Sequence, residues 1–199
     1  MKNLLFLSLM VHALVASVFS VKCYSCSSTN RTCEKVIEIE CLGGQCFTAS
    51  ERFYNGVKTF ELFLKGCACD ELCGGQGRAT GENIEYQFNG VCCTGDDCNI
   101  DEFRLPDNKI PNGLQCPTCY NNISTDECVS DMKVNCTGNQ VLCYDYRASM
   151  QNPDGSVLQY SSKGCANKFV CDVNFDKHIG LIELYREHLN CTAPNPDPQ

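Results

Sequence analysis

Apolar and polar side chains alternate along Cys46–Tyr54 and again along Val57–Cys67, the period-two pattern of half-buried strands. Between them stands Asn55-Gly56, a type I′ turn signal, so the two runs are expected to form a hairpin. A two-residue turn there would set Tyr54 opposite Val57, Phe53 opposite Lys58, Glu51 opposite Phe60 and Ala49 opposite Leu62. One face would then collect Phe47, Ala49, Phe53, Phe60, Leu62 and Leu64. The other would carry Thr48, Ser50, Arg52, Thr59 and Glu61. This predicts one buried face and one wet face. A second hairpin is predicted from Val141–Met150 and Val157–Lys163, joined through Asn152-Pro-Asp-Gly155. Ile84, Tyr86 and Phe88 alternate with Glu85 and Gln87 in a further strand before Cys92. The matching segment before Cys191, Ile179–Leu189, suits a strand or a short helix.

The cysteines order these hairpins into a repeat. With Cys69 set aside, the series from Cys23 to Cys92 advances by 3, 7, 8, 5, 21, 6 and 19 residues. The series from Cys116 to Cys191 advances by 3, 9, 8, 7, 22, 6 and 20. Lys65-Gly66-Cys67-Ala68 recurs as Lys163-Gly164-Cys165-Ala166. Such matching marks an internal duplication into two units. The boundary is placed between Asn99 and Cys116, where Arg104–Gly113 has two prolines and a closing glycine. The expected organisation is a leader over 1–20, a first domain over 21–103, a linker over 104–115 and a second domain over 116–199.

The leader is read from Lys2, the apolar stretch Leu4–Val18, and small residues Val18 and Ser20 before a cleavage site. No second apolar stretch of about 18 residues follows, and Ala193–Gln199 is polar and Pro-rich, so neither a membrane span nor a lipid anchor is expected. A secreted, extracellular chain fits the composition. Of 199 residues 19 are Cys, an excess that signals a disulfide scaffold in an oxidising compartment. Units of this size bury little core, and each bridge typically adds about 2–4 kcal/mol. Asn30-Arg-Thr, Asn122-Ile-Ser, Asn135-Cys-Thr and Asn190-Cys-Thr are glycosylation sequons, with Asn30 and Asn122 the favoured ones. The net charge of −8 argues against nucleic acid as a partner.

Three features together resemble the three-finger superfamily of urokinase-receptor domains, lymphocyte-antigen-six domains and snake toxins. They are the Cys23-x2-Cys26 opening, the long central hairpin, and the close Cys92-Cys93-Thr-Gly-Asp-Asp-Cys98-Asn99. Two tandem units, the Asn112-Gly-Leu-Gln-Cys-Pro opening and a second unit without that close are similar to gamma-type phospholipase A2 inhibitors. The sodefrin-precursor-like pheromones share the layout. The resemblance implies an all-β, disulfide-rich fold of two tandem three-finger domains. It also implies the pairing, since eight cysteines alone allow about a hundred arrangements. The implied bridges are Cys23–Cys46, Cys26–Cys33, Cys41–Cys67, Cys73–Cys92 and Cys93–Cys98, then Cys116–Cys143, Cys119–Cys128, Cys136–Cys165 and Cys171–Cys191. In the family the Asn after the last Cys ties the fingers together, and Asn99 matches it. Cys69 is left over. An intermolecular bridge, which would make a covalent homo-oligomer, stands beside a buried or capped thiol and local exchange with Cys67 or Cys73.

No catalytic constellation is evident. His178 and His188 are not framed by a carboxylate and a nucleophile, and Asp96-Asp97 falls short of a calcium site. The Cys-x2-Cys motifs are read as structural bridges, so no metal, cofactor or enzymatic activity is expected. A binding surface remains. Phe53, Tyr54 and Lys58 at one central finger, with Tyr144, Tyr146 and Tyr160 in the second unit, are the candidate partner-binding residues. The companion domain, another subunit and a target protein are the candidate occupants of this apolar face. The resemblance implies steric inhibition of a secreted phospholipase A2. The alternative is a secreted signal or pheromone acting through a receptor.

Overall fold

The computed structural model describes residues 20–29, 32–68, 72–101, 105, 108–151, 154–172 and 182–194, with backbone only for 182–187. The leader through residue 19, Asn30, Cys69 and His178 lie outside the described residues.

The first unit contains β1 (Ser20–Ser28), β2 (Ile37–Leu42), β3 (Gln45–Tyr54), β4 (Thr59–Cys67), β5 (Gln76–Gly81) and β6 (Glu85–Thr94). The second contains β7 (Pro111–Pro117), β8 (Cys119–Asn121), β9 (Lys133–Thr137), β10 (Leu142–Gln151) and β11 (Val157–Ala166). A short helix α1 (Lys168–Asp172) and β12 (Ile182–Thr192) complete it. The segment that suited either strand or helix is thus a strand over its described part, paired antiparallel to β10. One ten-stranded sheet runs through both units in the order β12-β10-β11-β5-β6-β3-β4-β1-β2, with β8 also paired to β11. β7 and β9 form a separate pair.

The disulfide bridges stay within each unit. They join Cys23 to Cys46, Cys26 to Cys33, Cys41 to Cys67, Cys73 to Cys92 and Cys93 to Cys98 in the first unit. In the second they join Cys116 to Cys143, Cys119 to Cys128, Cys136 to Cys165 and Cys171 to Cys191. The sulphurs of Cys116, Cys136 and Cys165 lie close enough to suggest a metal cluster. Each is already bonded in a disulfide, so none offers a thiolate.

The first central hairpin departs from the expected register. Tyr54 pairs with Thr59, Phe53 with Phe60 and Ala49 with Leu64, two residues away from the predicted partners. The cause is Asn55, which sits at the first position of the turn and not at its centre. Its Oδ1 accepts from the N–H groups of Val57 (3.2 Å) and Lys58 (2.9 Å), while Gly56 takes φ +82° at the first central position. A slip of two preserves which face each side chain occupies, so the apolar face survives the correction.

The opposite face is not simply wet. Thr48, Phe63, Lys65, Gln87 and Asn89 are buried there. The chain leaving β6 returns over it: Lys65 Nζ donates to the Ile100 carbonyl at 2.6 Å and crosses the Phe63 ring at 5.7 Å. Asn99 sits behind this return. Its amide donates to the carbonyls of Tyr24 (2.9 Å) and Phe47 (3.0 Å) and accepts from Tyr24 N–H (2.9 Å). Three backbone groups of two fingers thus depend on one buried side chain. Asn99→Ala is expected to cost about 2–3 kcal/mol by leaving them unpaired, which chemical denaturation of the variant measures.

Candidate binding surface

The aromatic residues proposed for partner recognition meet one another across the junction of the two units. Phe53 of β3, Tyr144 and Tyr146 of β10 and Tyr160 of β11 belong to one buried cluster. Ring centroids of Phe53 and Tyr160 are 6.4 Å apart, and those of Tyr146 and Tyr160 are 5.6 Å apart. Tyr160 Oη donates to Met150 Sδ at 3.0 Å. Phe88 stacks on Phe169 of α1 at 5.5 Å. These contacts are the tilted and stacked arrangements that aromatic quadrupoles favour. Of the candidate occupants of the apolar face, the companion unit is the one found, and Phe53, Tyr144, Tyr146 and Tyr160 are unavailable to an external partner. The packing leaves a small apolar pocket of about 40 Å³ lined by Phe53, Tyr86, Tyr144 and Met150.

Backbone and amide contacts fix the junction. Gly164 of β11 pairs with Gly81 of β5, Cys165 with Thr80 and Ala166 with Ala79. A Cβ on Gly164 would run into the Thr80 carbonyl oxygen, so only glycine admits this approach. Gln140 is fully buried and donates to Thr80 Oγ1 (3.0 Å) and to the Cys165 carbonyl (3.1 Å). Asn167 donates to the Gln76 carbonyl at 2.5 Å and accepts from Arg78 N–H at 3.2 Å. Sequence reasoning missed both amides. The one available signal was that Asn167 occupies the repeat position of the unmatched Cys69.

Glu51 is the exception in this apolar junction. It shares the face of Phe53 and is 5 % exposed, with Oε1 unpartnered. Burial pushes its carboxyl up to about 8, a hydrogen bond with Tyr86 holding it partly back. The folded state therefore favours the protonated acid. Its contribution is fully present below the ordinary value of 4.5 and is lost as pH rises towards 8. Glu51→Gln is expected to match the native chain near pH 4 and to be more stable by about 2–4 kcal/mol at pH 8. Melting temperatures across that range measure the divergence.

At the finger ends the surface is exposed. Lys58 reaches across the junction to Asp154 at 3.0 Å and covers the Phe60 ring at 4.8 Å. Hydrogen bonds from Ser156 and Lys58 hold the Asp154 carboxyl down at about 2. Tyr120 Oη donates to the Asn55 carbonyl at 2.6 Å, fastening the same end. Tyr54 is half-buried beside these groups. Val57 and Val157 project from the two tips with 82 % and 60 % exposure. Ile123 and Val129 project from the first finger of the second unit, where Asn122 is also exposed. Asp96 and Asp97 turn out to be fasteners: Asp96 Oδ1 accepts from Lys22 N–H (2.9 Å), and Asp97 N–H donates to the Lys22 carbonyl (2.7 Å). No helix among the described residues is long and apolar enough to cross a membrane.

Comparison with known proteins gives this surface a context. The u-PAR/Ly-6 domain model matches twice, over residues 20–101 and 112–195. Protein RoBo-1 of Rattus norvegicus is 26% identical over 200 residues, 90% of this chain and 75% of the relative. A phospholipase A2 inhibitor of the gamma type from Elaphe climacophora is 34% identical over 108 residues, 53% of this chain and 52% of the relative. Phospholipase A2 inhibitor NAI of Notechis ater is 26% identical over 98% of both chains. Among solved structures, mouse TEX101 has 15% identity and a TM-score of 0.36, covering 88% of this chain and 99% of that one.

Proposed function

Because the chain belongs to the u-PAR/Ly-6 domain family, with two such domains in tandem, we propose that it is a secreted binding protein that inhibits a secreted phospholipase A2 by covering it. The observation that carries the reading is likeness over 98% of both chains to a protein named as a phospholipase A2 inhibitor. The geometry agrees with a protein that binds and does not react. The aromatic faces are buried in one another, and what faces outward is a set of bridged loops on a shared sheet. The acidic balance of the chain would favour encounter with a basic enzyme. The mode of action is steric: the loops occlude the membrane-docking face or the mouth of the active site.

Titration of the oxidised, glycosylated protein against a panel of secreted phospholipases A2, with direct binding in parallel, tests the proposal. Saturable inhibition near stoichiometric ratios is the expected result. Absence of binding to every enzyme of the panel would reject it in favour of a secreted signal recognised by a receptor.

A further inference from the structure

In the first unit the space beside β1 and β3 is filled by the chain itself. Thr94–Ile100 folds back, turning at Asp97 with φ +56°, and is closed by Cys93–Cys98. Asp97 N–H donates to the Lys22 carbonyl, the Asn99 amide donates to the carbonyls of Tyr24 and Phe47, and the Ile100 carbonyl accepts from Lys65 Nζ. The repeat carries each docking group into the second unit: Lys22 onto Gln115, Tyr24 onto Pro117, Phe47 onto Tyr144 and Lys65 onto Lys163. There all four line an open groove of about 850 Å³.

Three differences between the units suit a groove that takes an occupant from outside. Tyr24 has an N–H that needs Asn99, whereas Pro117 has none, so the open groove orphans no donor at that position. Lys163 Nζ has three donors. Among the described residues Glu127 (2.6 Å) and Asp145 (3.2 Å) take two, leaving one for an incoming carbonyl. Lys133 lines the groove at the repeat position of Glu38, replacing an acid with a base. Among the described lining residues the acid is Asp145; with Glu127 beside it, it is matched by Lys163 and by Arg147 at 3.6 Å.

We propose that this groove binds an acidic, asparagine-bearing loop of a partner protein, which supplies from outside what Thr94–Ile100 supplies from within. N–H and amide donors of the loop meet the carbonyls of Gln115, Pro117 and Tyr144. One of its carbonyls accepts from Lys163, and its carboxylates lie near Lys133. The inference takes from the proposed function only that the partner is a protein, and it does not require a phospholipase.

The probe is a disulfide-closed peptide, Cys-Thr-Gly-Asp-Asp-Cys-Asn-Ile, the sequence of residues 93–100. It is titrated into the full oxidised chain and read by fluorescence anisotropy. Saturable binding is expected, weakened about tenfold or more in Lys163→Met through loss of a charge-assisted hydrogen bond. The triple variant Thr192→Cys, Asp197→Cys, Pro198→Asn restores the bridge and the asparagine at the repeat positions of Cys93, Cys98 and Asn99. It is expected to fill the groove in cis and abolish peptide binding while raising the melting temperature. No saturable binding to the native chain, or equal binding to all three proteins, overturns the proposal. Binding only by a chain ending at Pro194 would also overturn it, by making the chain's own tail the occupant. Phospholipase inhibition, measured on the same samples, is independent of these outcomes, so failure of either reading is distinguishable.

Discussion

Gly164→Ala is expected to part the two units. The added Cβ would collide with the Thr80 carbonyl oxygen and stand 2.9 Å from Gly81 Cα, both backbone atoms that no rotamer change can move. Overpacking of this kind costs about 1–3 kcal/mol, and here it falls on the strand pairs that carry the shared sheet from one unit into the other. A lowered melting temperature and an increased radius of gyration by small-angle scattering are the expected readings. The repeat provides an internal control. Gly66 occupies the same place in the Lys-Gly-Cys-Ala motif of the first unit, and a Cβ there meets nothing within 4 Å. Gly66→Ala is expected to leave both readings unaltered. Equal behaviour of the two variants would show that the β5–β11 pairing does not hold the units together.

Phe53→Ala is the second large effect. The ring is 3 % exposed and packs between β6 and the tyrosines of the second unit, with Tyr86 directly opposite it on β6 and Phe60 opposite it on β4. Truncating a buried phenylalanine typically costs about 3–5 kcal/mol through lost transfer energy and the cavity left behind. Small bridged units bury little other apolar core, so the loss is a large fraction of what burial contributes. Urea denaturation reads it directly. A variant that unfolds at the native midpoint and instead loses affinity for a target would return Phe53 to an external surface.

What was legible in the chain follows from period two. Alternation locates β3, β4, β10 and β11 because a half-buried strand must alternate. It also marks Phe53, Tyr144, Tyr146 and Tyr160 as facing something apolar. Periodicity does not say what that something is, and the companion unit is a covering as good as any target. The turn was misplaced by one residue because Asn-Gly can sit at the centre of a turn or, as here, with the asparagine side chain capping from its first position. The wet face was overestimated because the return of Asn99 and Ile100 over β3 and β4 is long-range and leaves no local pattern. Glu51 breaks the apolar face, yet a single acid in an alternating run carries no mark of its depth. Gln140 and Asn167 are lone amides whose importance comes only from the backbone groups they meet.

The shared sheet has a consequence for the life of each half alone. An unpaired strand edge is a template for other chains, and proteins blunt such edges or cover them. In this molecule the free side of β5 and the free side of β11 conceal one another through Ala79–Gly81 and Gly164–Ala166. Either half synthesised by itself would uncover one of these edges together with the aromatic face beside it. A single half is therefore expected to recruit copies of itself and come out of solution, and duplication within one polypeptide keeps each edge supplied with its proper neighbour.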